Sequence, residues 1–200
     1  CLPAYLQSQQ KHLLLNAPIV TQQIPAPDLD TLLHLFYQDT AEFGVIEAIS
    51  AADMPTVARK LLNHEHHMTV TVEDHHHCEV DVQVLETLFT GQAYSRKILL
   101  SKQTDRTVVQ FGIVRLNFEF LATHIQQEIL AENTPLGRIL INHNVLRRVE
   151  LSQLWEIQVG QDLAELFCVS PNTIVYGRTA WIYCNGEPAI ELLEVVTSAA

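Results

Sequence analysis

The stretch IVYGRTAWIYC (174–184), NG (185–186), EPAIELLEVV (187–196) decides the fold. Two alternating apolar runs flank Asn185-Gly186. Asn-Gly in that setting is the strongest short-range signal for a β-hairpin, because both turn residues tolerate positive φ. Strand alternation then sorts the polar side chains. Arg178 shares a face with Tyr176, Ala180 and Ile182, and Glu194 with Ile190 and Leu192, while Glu191 falls on the opposite face with Leu193 and Val195.

Working back from the hairpin, the same period of two recurs over Val145–Val159, Thr107–Phe118, Tyr94–Ser101 and the valines Val80, Val82 and Val84. Gln103-Thr104-Asp105 reads as a turn. Short connections between these runs imply antiparallel pairing. Helical spacing appears elsewhere. Asp28 caps a run with Leu29, Leu32, Leu33 and Phe36 on one side. Further helices are expected over Asp39–Ile49, Asp53–Asn63 (Val57, Leu61 and Leu62 as its apolar side), Phe120–Ala131 and Gln161–Phe167. Thr134 can cap a helix with Pro135 at its first position and Leu136, Ile139 and Leu140 on its apolar face; its free N–H groups suit an anionic or hydroxyl-bearing ligand. Met68–Glu73 is readable as strand or helix, since β-branched residues favour the former but the stretch is short. The sum is α+β: a single, mostly antiparallel sheet with helices packed on one side. It forms one domain over residues 28–200, behind an N-terminal arm over 1–27 with a short helix near Tyr5–Leu15.

The totals restrict function. Residues 1–95 hold three basic against twelve acidic groups, residues 96–200 nine against eleven, and the net charge is −11. That balance argues against nucleic acid as a partner and would draw a small anion to the arginine-bearing second half. The sequence contains neither a basic-then-apolar leader nor an apolar run of the ~18–20 residues that a membrane helix needs. The four cysteines form no CxxC pair, so reduced thiols in a cytoplasmic or plastid-stroma-like compartment are expected.

His64, His66 and His67 precede His75, His76 and His77, with Glu65, Glu73, Asp74 and Cys78 interleaved. No HExxH or Cys–His spacing accompanies them, so an exposed polar loop is expected rather than a metal site. Neither a GxSxG elbow nor a Gly-rich phosphate loop is present. Two arginines stand inside apolar alternation: Arg96, with Ile98 and Leu100, and Arg178. A strand arginine turned to the core must be compensated, and a ligand carboxylate held through two N–H bonds would do so. Glu191 and Glu194 raise the matching question on the last strand.

Several stretches, in order, resemble the chorismate lyase (chorismate pyruvate-lyase) family, and more closely its cyanobacterial and algal-plastid branch. They are His67-Met68-Thr69, Tyr94–Leu100 with its Arg-x-Ile-Leu-Leu, Thr134–Leu140 (TPLGRIL), Leu146–Glu150, Val175–Arg178 and Asn185–Pro188. The resemblance implies a lyase that converts chorismate to 4-hydroxybenzoate and pyruvate by elimination and aromatisation, feeding quinone (plastoquinone) biosynthesis without metal or other cofactor. It further implies ligand contacts at Met68, Arg96, Leu136 and Glu194, with Arg96 clamping the ring carboxylate and Glu194, or its rival Glu191, assisting proton exchange. The same fold resembles the effector-binding domains of bacterial transcription regulators. The alternative is therefore a non-catalytic domain that binds a small aromatic carboxylate.

Overall fold

In the computed structural model, residues 26–91, 93–145 and 147–197 are described; the expected arm lies outside them up to residue 25. Seven strands build one sheet: β1 (Gly44–Ile49), β2 (Val80–Thr90), β3 (Ala93–Lys102), β4 (Val108–Asn117), β5 (Arg147–Val159), β6 (Ile174–Cys184) and β7 (Glu187–Val196). Their order across the sheet is β1-β5-β6-β7-β4-β3-β2, with every neighbouring pair antiparallel. Asn185-Gly186 turns β6 into β7 with both residues at positive φ, as the hairpin reading requires.

Six α-helices accompany the sheet among the described residues: α1 (Leu29–His34), α2 (Thr56–Leu62), α3 (Met68–His76), α4 (Thr123–Leu130), α5 (Leu136–Asn142) and α6 (Gln161–Phe167). The sequence expectation placed them on one side; they cover both faces. α1 and α6 bury Leu32, Leu33, Leu163 and Phe167 against Leu99, Phe111, Ile113, Leu193 and Val195. These are the odd-numbered positions of β3, β4 and β7. The even-numbered positions face α2 to α5 and build two further clusters. One joins Tyr94, Val114, Leu116, Ile190 and Leu192 to α4 and α5; the other joins Ile98, Leu100 and Val196 to α2 and α3. Both faces of the central strands are therefore apolar, and each covering leucine contributes ~1.5–3 kcal/mol by leaving water.

Three local readings change, and one left open is resolved. The helix expected over Asp39–Ile49 is a 3-10 turn at Thr40–Glu42 followed by β1. Gly44 ends the helical run at φ +143, and β1 pairs with β5. In α2 the buried side is Ala58, Leu61 and Leu62, whereas Val57 is exposed. Met68–His76 is a helix despite its β-branched residues, because Met68, Thr69 and Val72 bury together at helical spacing. α5 starts at Leu136, one residue later than expected, with Pro135 at the cap position and no side-chain cap.

Gly44 carries a direct test. A Cβ placed there would lie 2.2 Å from the Gln158 carbonyl oxygen, at a φ that L-residues avoid. Gly44→Ala should cost about 1–3 kcal/mol, read as a lower urea midpoint at unchanged m-value. An unmoved midpoint would mean that the β1–β5 edge relaxes freely around the methyl group.

Candidate functional site

A cavity of about 50 Å³ lies under the even-numbered face, where the two clusters meet. A void holds one water from ~10–15 Å³, so this space suits a small ligand. Its floor is the register row Ile98–Gly112–Glu194–Arg178 across β3, β4, β7 and β6, flanked by the row Arg96–Val114–Leu192–Ala180. Gly112 places no side chain in the middle of that floor. The roof comes from His66, His67, Met68 and Thr69 at the start of α3 and from Pro135, Leu136 and Gly137 at the start of α5. Gly137 lets the two helices approach: a Cβ on it would stand 2.9 Å from Thr69 Oγ1.

The two arginines have different surroundings. Arg178, 1% exposed, is fully engaged. Its Nε donates to Glu194 Oε2 at 2.7 Å, Nη1 to the carbonyls of His64 (2.7 Å) and Leu62 (3.3 Å), and Nη2 to the His66 carbonyl at 3.2 Å. It thereby ties the 62–66 segment to the sheet. Arg96 is equally buried, yet its Nε and Nη1 have no hydrogen-bond partner among the described residues. Burial pulls its pKa down, while Tyr94 and Glu132 nearby favour the charged form. The Tyr94 hydroxyl donates to Glu132 at 2.9 Å.

The residues implied by the family resemblance all line this cavity: Met68, Arg96, Leu136 and Glu194. Glu191 does not. It lies on the opposite face, where it pairs with Arg115 and accepts from the Asp28 N–H at 3.0 Å. Sequence reasoning singled out Arg178 without its partners and passed over Gln110, which lines the cavity at 3% exposure. A glutamine in an alternating strand carries no signal of its own; its position opposite Leu100, on the face of Arg96, was the available one.

The histidines divide. His67 holds the cap position of α3 and His77 its other end, so the helical residues 68–74, ~10 Å of helix, separate the two groups. Among the described residues no set of three or more His, Cys, Asp or Glu could hold a metal ion. His64 and His67 are instead acceptors. The His64 Nε2–H reaches the Leu61 carbonyl at 2.6 Å, leaving Nδ1 to accept from Arg178 and from the His66 N–H. His67 Nε2 accepts from Arg147 Nε.

Both rings are therefore neutral by geometry. Burial, with Arg178 beside His64 and Arg147 beside His67, pushes each pKa from 6.5 down to about 4. The folded chain then binds fewer protons than the unfolded chain below about pH 6.5, so the histidine contribution is complete above that pH and fades as pH falls toward 4. The urea midpoint should drop between pH 7 and 5, and a His64→Gln/His67→Gln variant, whose amide oxygens can still accept, should flatten that drop. An equal drop in the variant would assign the proton uptake to other groups.

No protein-family model matches the sequence, and no curated protein matches it. The fold has solved counterparts. PhnF from Mycobacterium smegmatis is similar at TM-score 0.52 and 9% identity, over 66% of this chain and 64% of that one, so the chain spans less than two thirds of that protein. The ligand-binding domain of a GntR-family transcriptional regulator from Bordetella bronchiseptica is similar at TM-score 0.47 and 15% identity, over 60% of this chain and 86% of that one. Identities this low speak to the fold alone, a single antiparallel sheet with helices of the chorismate lyase-like class. These neighbours correct the expected enzyme: they are regulator domains, and chorismate lyase itself finds no support in a family model or a curated relative. In the site, one oxygen of the Glu194 carboxylate is held by Arg178.

Proposed function

We propose that this domain binds a small aromatic carboxylate in the cavity beneath α3 and α5, with Arg96 as the partner of the carboxylate. One observation carries the reading: a guanidinium 1% exposed, with Nε and Nη1 unpartnered among the described residues, on the wall of a cavity whose walls are largely apolar. An unpaired buried charge is costly, and a carboxylate that accepts two parallel N–H bonds offsets that cost. Met68, Ile98, Leu100, Val114, Leu136 and Leu192 supply apolar contact for a ring. Glu194 serves as the anchor of Arg178 and closes the far side of the site. Binding to this cavity, rather than turnover, is the activity the arrangement supports.

The test uses benzoate and 4-hydroxybenzoate as probes in titration calorimetry. Arg96→Leu should weaken both by about 1.5–3 kcal/mol, the range for a hydrogen bond to a charged group. The same substitution removes a buried charge that no carboxylate pairs with at ion-pair distance among the described residues, so without ligand the variant should melt at a higher temperature than wild type. Unchanged affinity in Arg96→Leu would remove Arg96 from the site. A lower melting temperature would make it a structural residue whose partners lie elsewhere.

A further inference from the structure

A second unsatisfied group lies at the other end of the floor. The side-chain oxygen of Gln110 is buried with no hydrogen-bond partner among the described residues, while its NH2 faces Glu194 Oε1 at 3.5 Å. Reversing the amide would turn its oxygen toward the carboxylate, so electrostatics selects the orientation seen. The register separates the two orphans. Arg96 stands opposite Val114 and Gln110 opposite Leu100, which at ~3.4 Å per residue and ~4.8 Å between strands sets their Cα atoms roughly 14 Å apart. Ile98 and Gly112 lie between them. One end of the cavity thus offers unpaired donors and the other an unpaired acceptor.

The charges are equally uneven. The lining holds Arg96, Arg178 and Glu194 as its charged side chains. Arg178 and Glu194 pair at 2.7 Å, and every nitrogen of Arg178 already has an acceptor. His64 and His67 are held neutral as acceptors, facing Arg178 and Arg147. Arg96 remains as the positive group with no carboxylate at ion-pair distance among the described residues, its charge favoured only by Tyr94 and Glu132 nearby. A second anionic group on a ligand would arrive beside the Glu194 carboxylate and the Gln110 oxygen, with no free cation lining that end.

We infer that Gln110 is the specificity-determining residue of the cavity, which takes a monoanion bearing a neutral hydrogen-bond donor, a hydroxyl or amine, remote from its carboxylate, and refuses a second anionic group there. The inference rests on the carboxylate reading of Arg96.

Calorimetry on the whole chain with a series of para-substituted benzoates tests it. Wild type should bind 4-hydroxybenzoate and 4-aminobenzoate about three- to tenfold tighter than 4-fluorobenzoate, which lacks a donor. Terephthalate, with a second carboxylate at that position, should bind at least about a hundredfold more weakly than 4-hydroxybenzoate. Gln110→Met keeps the length and removes the acceptor, so the hydroxyl and fluoro compounds should then bind within about twofold of each other. If Gln110→Met keeps the hydroxyl preference, Gln110 is not the reader and the inference falls, while benzoate binding that depends on Arg96 would stand. Terephthalate binding as tightly as 4-hydroxybenzoate overturns the charge argument. Should Gln110→Met fail to fold, the wild-type series decides alone, and equal affinity for the hydroxyl and fluoro compounds rejects the inference. Failure of every benzoate to bind wild type, or benzoate binding equally to Arg96→Leu, would instead locate the error in the carboxylate reading itself.

Discussion

The Arg178–Glu194 pair is the interaction on which the site depends. Both partners are nearly sealed from water, and the guanidinium also holds three carbonyls of the segment between α2 and α3. Desolvating two such charges costs several kcal/mol each, and a pair of this kind is often no more stabilising than apolar residues of equal volume. Removing one partner alone strands the other at a cost of about 3–5 kcal/mol. The pair therefore reads as a device for placement. It fixes where His64, His66 and His67 sit over the sheet, and hence where the cavity ends.

That pairing depends on one irregularity in the hairpin. A regular two-residue turn that pairs Cys184 with Glu187 would bring Arg178 opposite Leu193. The register shifts between Ile182 and Tyr183, and Arg178 stands opposite Glu194 instead. A single extra residue moves a strand's partners by one and thereby exchanges faces. The Asn-Gly turn and both strands were legible from alternation and turn chemistry, as was the shared face of Ile190, Leu192 and Glu194. The bulge was not, because nothing in a run of apolar residues marks where one will be left unpaired.

The other outcomes have the same origin in tertiary contacts. Asp39–Ile49 has a helical spacing of apolar residues, and only pairing with β5 makes its second half a strand. The Met68 stretch has strand-like composition, and its burial between α2, α5 and the sheet makes it a helix. Helices on both faces were hidden for a related reason. β3 and β7 are buried on both sides, so their odd positions, Leu99, Leu193 and Val195, looked like the outward half of an amphipathic pattern although they are core. Local periodicity reports which residues share a face; it says little about what covers that face. For the site, alternation was enough to put Arg96 and Glu194 on one side of the sheet. It could not say that Arg178 would engage Glu194, that Nε and Nη1 of Arg96 would lack hydrogen-bond partners among the described residues, or that Gln110 would face the same space.

The charge distribution adds a last constraint on what enters. The chain carries net charge −11, yet the cavity holds one guanidinium, Arg96, with no carboxylate at ion-pair distance among the described residues. The field at long range repels anions and is screened within about 8–10 Å at ordinary ionic strength. Inside the cavity the guanidinium acts at contact distance, where salt screens little. Approach is therefore opposed while residence is favoured, and the opposition to approach grows with each negative charge on the ligand. A dianion meets this repulsion twice: in solution from the whole protein, and at the floor of the cavity from Glu194. A monoanion with an apolar ring and a neutral donor meets it once, and gains the arginine, the apolar walls and the glutamine oxygen in return.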